Sequence, residues 1–191
     1  MYKLKKNYVL ILTSGGIDST ACICFYKKLK FNVEGIFFDY GQKSSKKEFN
    51  SLKKIAKHYR IKTTKIVVSN TYKYSDGVIP GRNAFLFFLA LMNFKKPNGI
   101  IASGIHSGTN YYDCSQEFVN TLQTMIDGYT QGTIKLGTPF LKFNKRAIFE
   151  YCKMEKVPIN LTYSCELGLK QPCGNCATCK DLKAIYDSKE Q

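Results

Sequence analysis

The sequence predicts an α/β fold, a doubly wound five-stranded parallel sheet followed by a cysteine-rich C-terminal tail. Three observations lead there. Short apolar runs alternate with longer helical patterns, the order expected when helices cover both faces of a parallel sheet. The runs themselves are rich in Val, Ile, Leu and Phe, as in strands covered on both sides. The alternation then stops near residue 160, and four cysteines crowd into the fifteen residues from Cys165 to Cys179.

Taken in order, residues 7–13 form a first strand and Asp18 to Leu29 has helical spacing. Val33 to Phe38 is a second strand, followed by a polar turn and a Lys-rich helix from Ser45 to Tyr59. Lys62 to Val68 is a third strand. Residues 70–82 are loop-like, broken by Asp76-Gly77 and Pro80-Gly81. Ala84 to Phe94 is apolar all round and predicts a buried helix. Gly99 to Ser103 is a fourth strand, Ser115 to Tyr129 a helix, and Ile134 to Leu136 a fifth strand. Asn144 to Glu155 is another helix, with Asn144 placed to cap it. A last helix runs from Cys179 to Tyr186. The division is therefore a nucleotide-binding domain over 1–160 and a tail over 161–191 that is not an independent domain.

Composition narrows the class. Hydrophobic residues make up 44% and charged residues 23%, enough for a core and unlike disordered or fibrous chains. The longest apolar run, Ala84 to Met92, is too short to span a bilayer, so no membrane role is expected. The first residues, Met1-Tyr2-Lys3-Leu4-Lys5-Lys6, lead into a strand without a small-residue cleavage site, which points to the cytoplasm. The net charge of +15 invites nucleic acid or phosphorylated ligands. Only three of the 29 basic residues are Arg, however, and the lysines are scattered along the chain. Nucleic-acid readers favour arginine forks, so charge alone does not predict direct nucleic-acid binding.

The segment Leu12-Thr13-Ser14-Gly15-Gly16-Ile17-Asp18-Ser19-Thr20 lies between the first strand and the first helix. Adjacent glycines let the backbone approach an anion closely. The helix behind them presents its N-terminal N–H groups and positive dipole end. Ser14, Ser19 and Thr20 add hydroxyls. The plainer alternative is a tight turn with Asp18 as a helix cap. The order Ser-Gly-Gly-x-Asp-Ser directly after a first strand resembles the pyrophosphate loop of the ATP pyrophosphatases, and it lacks the Lys of a Walker loop. Enzymes with this loop cleave ATP between the α- and β-phosphates and activate an oxygen of the substrate as an adenylate.

Cys165-x7-Cys173-x2-Cys176-x2-Cys179 contains two of the short chelating spacings favoured by tetrahedral zinc. Pro172 and Gly174 provide turns, and Lys170, Lys180 and Lys183 offset the charge of four thiolates around one Zn²⁺. A closed four-thiolate site is structural, with no open position for catalysis. An iron–sulfur cluster or a redox Cys-x-x-Cys are the other readings.

Together these features resemble the QueC family of 7-cyano-7-deazaguanine synthases over nearly the whole chain. The matching elements occur in family order: Ser14 to Thr20, Phe38-Asp39-Tyr40-Gly41-Gln42, and Val78-Ile79-Pro80-Gly81-Arg82-Asn83. Tyr112-Asp113-Cys114 with Glu117-Phe118, Thr138-Pro139-Phe140 and Asn144-Lys145 follow, and then Tyr163-Ser164-Cys165 and the remaining cysteines. The resemblance implies an adenine nucleotide α-hydrolase-like fold, ATP, Mg²⁺ and Zn²⁺ as cofactors, and a deazapurine acid and ammonia as co-substrates. It also suggests a homodimer. Ser14, Gly15, Gly16, Asp18, Ser19 and Thr20 would hold pyrophosphate, with Asp18 also orienting the loop or a magnesium ion. Arg82 would meet ATP phosphate or substrate, or else pin the loop before its helix. Lys145 is a weaker catalytic candidate. Asp39 lies near the expected nucleotide cleft unless it caps a turn. Asp113 would accept the guanine-like edge of the acid, unless it caps the helix near Ser115.

The chain departs from the family between Gly104 and Ser115. The family's Gly-Tyr-Pro-Asp-Cys-Arg has become Tyr111-Tyr112-Asp113-Cys114-Ser115 at its end, and His106 either reaches the site or, with no partner in sight, is a satisfied loop histidine, the preferred reading. The chain is also short for the family. These departures keep a rival open, a relative that adenylates a deazapurine acid and joins it to another amine, on a protein or a small molecule, as looks to be the case for relatives in bacterial defence loci. A basic zinc-knuckle RNA-binding protein with a vestigial nucleotide loop is the remaining alternative. A tRNA-thiolating relative would need Cys114 as its cleft cysteine.

Overall fold

The computed structural model describes residues 7–69, 79–108 and 111–187. Asp76, Gly77, Val78, Thr109 and Asn110, which figure in the motifs above, lie outside the described residues. Five strands form one parallel sheet: β1 (Tyr8–Leu12), β2 (Asn32–Asp39), β3 (Lys62–Val67), β4 (Gly99–Ala102) and β5 (Ile134–Gly137). Their order is β3-β2-β1-β4-β5. The helices are α1 (Ile17–Lys28), α2 (Ser45–Tyr59), α3 (Arg82–Met92), α4 (Gln116–Thr130), α5 (Lys145–Met154) and α6 (Ala177–Asp187). Short 3₁₀ turns occupy Tyr112–Cys114 and Ile159–Leu161.

β1 shows why the fold is doubly wound. Successive side chains of a strand point to opposite faces. Val9 and Ile11 therefore pack with α1, Ile55 of α2, and Ile148, Phe149 and Cys152 of α5. Tyr8 and Leu10 pack with Phe87 and Ala90 of α3 and with Phe118, Leu122 and Ile126 of α4. Ile185 of α6 joins the first cluster, and the Phe149 and Tyr186 rings meet edge-on at 5.3 Å. The chain reverses its direction of winding at β1, with β2 on one side and β4 on the other. A crevice opens at the carboxyl ends of these strands, where ligands bind in open parallel sheets.

Two expectations need correction. α3 is not buried all round: Phe87 and Ala90 are sealed, but Phe85 is 46% and Met92 81% exposed. Only one face of α3 meets the sheet; the opposite apolar face looks outward. β3 is not a continuous apolar run in a covered position either. It is an edge strand, and its Lys62, Thr64, Lys65 and Val67 are exposed. Lysines on a sheet edge discourage pairing with another chain.

Candidate active site and thiolate centre

The loop after β1 turns sharply at Gly15, whose φ of +74° lies in the left-handed region. A Cβ here would sit 2.4 Å from the Glu48 carbonyl oxygen, so the glycine also permits α2 to approach. Gly16 precedes α1, and no side chain caps the helix. Asp18 lies within the first turn of α1 and is therefore not its N-cap. Within the loop, the Ser14 amide donates to Ser19 Oγ at 3.3 Å, the Gly16 amide donates to Ser14 Oγ at 3.3 Å, and Ser19 Oγ donates to the Gly16 carbonyl at 3.1 Å. The two serine oxygens are 3.3 Å apart. Thr20 is fully buried and donates to the Gly16 carbonyl at 2.8 Å, so its hydroxyl braces the loop.

This loop floors a cavity of about 360 Å³. Ser14, Asp18 and Ser19 enter it from β1 and α1, Gln42 and Glu48 from the turn after β2 and from α2, Arg82 from the first turn of α3, and His106 from the loop after β4. Sequence reasoning placed Ser14, Asp18, Ser19 and Arg82 here. Lys145, at the start of α5, reaches the same centre by pairing its ammonium with Asp18 Oδ2. Asn144 caps α5 by accepting the Ala147 amide at 2.8 Å, which fixes the position of Lys145.

Asp39 and Asp113 lie outside the cavity wall. Asp39 accepts the Gly41 amide at 3.3 Å and pairs with Lys65 Nζ at 2.7 Å. Burial pushes its carboxyl up, but the bonds from Lys65 and Gly41 outweigh that and hold it below the usual range. Asp113 sits in the 3₁₀ turn behind the cavity, where its carbonyl accepts from Asn83 Nδ2 at 3.2 Å. It does not cap α4; Ser115 does, accepting the Phe118 amide at 3.1 Å.

Glu48 and His106 line the cavity without having been assigned to the site from the sequence. Glu48 accepts from Gln42 Nε2 at 3.1 Å and from Ser44 Oγ at 2.8 Å, and burial raises its carboxyl above the usual value. It lies six residues after Gln42, close enough for the motif to have flagged it. His106 is not a partnerless loop histidine: its Nε2 is 3.9 Å from Asp18 Oδ2. Its Nδ1 accepts the Gly108 amide at 3.1 Å, so the ring proton resides on Nε2. Burial lowers its pKa, only partly opposed by Asp18, and keeps the ring neutral near pH 7.

The opposite Asp18 oxygen, Oδ1, is buried without a hydrogen-bond partner among the described residues. A lone carboxylate oxygen beside a phosphate loop fits Mg²⁺, which takes one or two carboxylates together with phosphate oxygens.

The four tail cysteines converge, with all Sγ atoms within 4.8 Å of one another. Cys173 and Cys179 sulfurs are 3.9 Å apart, near the roughly 3.8 Å edge of a tetrahedron built on a Zn–S distance of about 2.3 Å. A cubane cluster, ligated at separate irons, needs a wider set. Amides of Cys176 and Asn175 donate to Cys173 Sγ at 3.3 and 3.4 Å and lower its pKa to about 6, favouring the thiolate; Cys179 is pushed up to about 12 by burial. The geometry therefore fits one zinc ion. The tail is tied to the phosphate loop, since the Tyr163 amide donates to the Gly15 carbonyl at 2.9 Å.

A family model described as "Queuosine biosynthesis protein QueC" matches residues 8–76 and 69–189. The chain belongs to the QueC family. It is 32% identical to a 7-cyano-7-deazaguanine synthase of Prochlorococcus marinus strain AS9601, covering 96% of this chain and 95% of the relative. That alignment runs over 217 positions against 191 residues, so the relative carries insertions this QueC chain lacks. A synthase of the same name from Campylobacter jejuni subsp. doylei is 28% identical over 89% of each chain. Among solved structures, the U34-tRNA thiolase NcsA of Methanococcus maripaludis, with its [4Fe-4S] cluster, superposes with a TM-score of 0.56 at 14% identity, covering 97% of this chain and 66% of that one. A 4-thiouridine synthetase–RNA complex with bound ATP gives a TM-score of 0.56 at 17% identity, covering 95% and 50%. At these identities the likeness shows the adenine nucleotide α-hydrolase-like fold. Among the described residues no helix is long and apolar enough to cross a membrane.

Proposed function

We propose that this QueC member is a cytoplasmic ATP-dependent C–N ligase that converts 7-carboxy-7-deazaguanine to its amide and then to the nitrile, releasing AMP and diphosphate at each activation. The observation that carries this reading is Asp18, Ser14 and Ser19 facing one cavity with Arg82 and Lys145 at its edge. The acid's carboxylate oxygen attacks the α-phosphorus, the bond to the β-phosphate oxygen breaks, and diphosphate leaves into the loop amides and the α1 N-terminus. Arg82 and Lys145 offset the charge that develops there. Ammonia then adds to the acyl carbon, loses a proton and expels AMP. A second ATP takes the amide oxygen onto its α-phosphorus, and loss of AMP with two protons leaves the nitrile. Asp18 would hold a magnesium ion, which would supply further neutralisation of phosphate charge. Neutral His106 carries its proton on Nε2, so it serves as a donor to a phosphate or carbonyl oxygen. Positioning and charge, with no side-chain nucleophile, suffice for this chemistry. Cys165, Cys173, Cys176 and Cys179 would hold a zinc ion, which would keep the tail against the loop. A homodimer is the assembly the resemblance suggests.

A second reading has a specific observation in its favour. Ser115 stands where the family has Arg, and its hydroxyl is spent on capping α4. This supports a different amine as acyl acceptor. Incubation with ATP, Mg²⁺ and the acid, with and without ammonium, separates the two. Two AMP per nitrile is the expected result, and Asp18→Ala abolishes AMP formation. AMP release that stalls before the nitrile until another amine is added selects the second reading. No AMP under any amine overturns the choice of acid.

A further inference from the structure

The lysines that the sequence scatters are gathered by the fold. Lys47, Lys53, Lys54 and Lys57 of α2 and Lys170 of the tail line one open groove of about 590 Å³ on the outer surface. Asn50, Asn160 and Thr162 lie between them, and no carboxylate is among the described residues lining it. Five of the eleven lining residues are Lys, against 26 in the 191-residue chain, so composition alone does not account for the cluster. Lys47, Lys54, Lys57 and Lys170 form no ion pair among the described residues.

We propose that this groove binds the phosphate backbone of a nucleic-acid strand. Lys47 and Lys57 are ten residues apart on α2, about 15 Å along the helix. The row is extended along the helix rather than convergent, which suits the successive phosphates of a strand. A lone phosphate would instead be met by convergent donors. The amides and hydroxyl between the lysines suit sugar and phosphate oxygens. None of the exposed large apolar side chains belongs to the groove. That favours a nucleic-acid strand over a lipid surface, whose binding adds apolar insertion to charge attraction, and over an acidic protein, whose binding hot spots are enriched in aromatic anchors. The groove shares no lining residue with the ATP cavity. The two meet through Tyr163, which lines the groove while its amide holds the Gly15 carbonyl. A strand bound here would lie against the support of the phosphate loop.

The test is fluorescence anisotropy of the full-length protein with a labelled 20-nucleotide single-stranded RNA, a DNA of the same sequence, and vesicles of phosphatidylcholine and phosphatidylserine. Five phosphate contacts predict a slope of about −3.5 for log affinity against log salt, from about −0.7 per contact on single strands. The triple variant K47E/K54E/K57E should bind at least about tenfold more weakly, with a slope near −1.4. The control K62E/K95E/K142E makes the same charge change at exposed lysines elsewhere and should bind within about twofold of the parent. Equal binding of RNA and DNA assigns the contact to phosphate alone, and stronger RNA binding adds the sugar hydroxyl. Equal loss in both triple variants, binding to vesicles only, or no binding of either strand overturns the proposal. Should the first triple variant melt early, Lys54→Gln reads the same effect as a slope shallower by about 0.7.

Discussion

Replacing Gly15 with Ala isolates what the phosphate loop requires of its backbone. Gly15 and Gly81 have nearly the same left-handed φ, +74° and +76°. Alanine pays roughly 1–2 kcal/mol for that conformation at either position. The surroundings differ. Among the described residues a Cβ at Gly81 meets nothing within 4 Å, whereas at Gly15 it meets the Glu48 oxygen at 2.4 Å and the Leu52 nitrogen at 3.0 Å. Both are backbone atoms of α2, which cannot swing aside as a side chain would. Overpacking of this kind costs about 1–3 kcal/mol more. Urea unfolding should therefore place Gly81→Ala about 1–2 kcal/mol below the parent and Gly15→Ala about 2–5 kcal/mol below it. Because the Gly15 carbonyl accepts the Tyr163 amide, the displaced loop should also lose ATP affinity. Equal destabilisation of the two variants would refute the steric account and leave only the dihedral cost.

Metal analysis should find one zinc per chain, and Cys176→Ser or a strong chelator should remove it and lower the melting temperature, since binding energy in such a centre is folding energy. ATP affinity should fall together with zinc content, through Tyr163 and Gly15; zinc loss without either effect would show the tail to be a passive appendage. His106 adds a pH dependence. Its folded pKa lies below the unfolded 6.5, so the unfolded state binds more protons and stability is lost as pH falls through the folded value. Between pH 7.5 and 5.5 the urea midpoint of the parent should therefore drop more than that of His106→Gln, and parallel curves would remove burial of the ring as the cause.

Much of this protein is legible in its sequence because the signals are local. Each strand and helix carries its own periodicity, and the phosphate loop and cysteine set are contiguous. What was missed depends on contacts across the sheet. His106 meets Asp18 because β4 pairs with β1, bringing together loops 88 residues apart. Glu48 enters the cavity because Gly15 lets α2 press close. The outward face of α3 was misread because an apolar run around a helix does not reveal which sides meet protein; Phe85 and Phe87 look alike in the sequence. The lysine groove has the same origin, since Lys170 joins the α2 lysines only after the tail has folded back.

The bond from Tyr163 to Gly15 also has a consequence for synthesis. The phosphate loop is translated well before its partners: β1 acquires its second neighbour only when residues 99–102 follow, and the loop receives its brace only with Tyr163. At about 5–20 residues per second, the 148 residues after Gly15 up to and including Tyr163 take roughly 7–30 s to make. Throughout that interval a nascent chain carries its nucleotide loop without the strut that holds it. ATP affinity should therefore arise only once Tyr163 has emerged, and ribosome-bound intermediates ending before residue 163 should retain little of it.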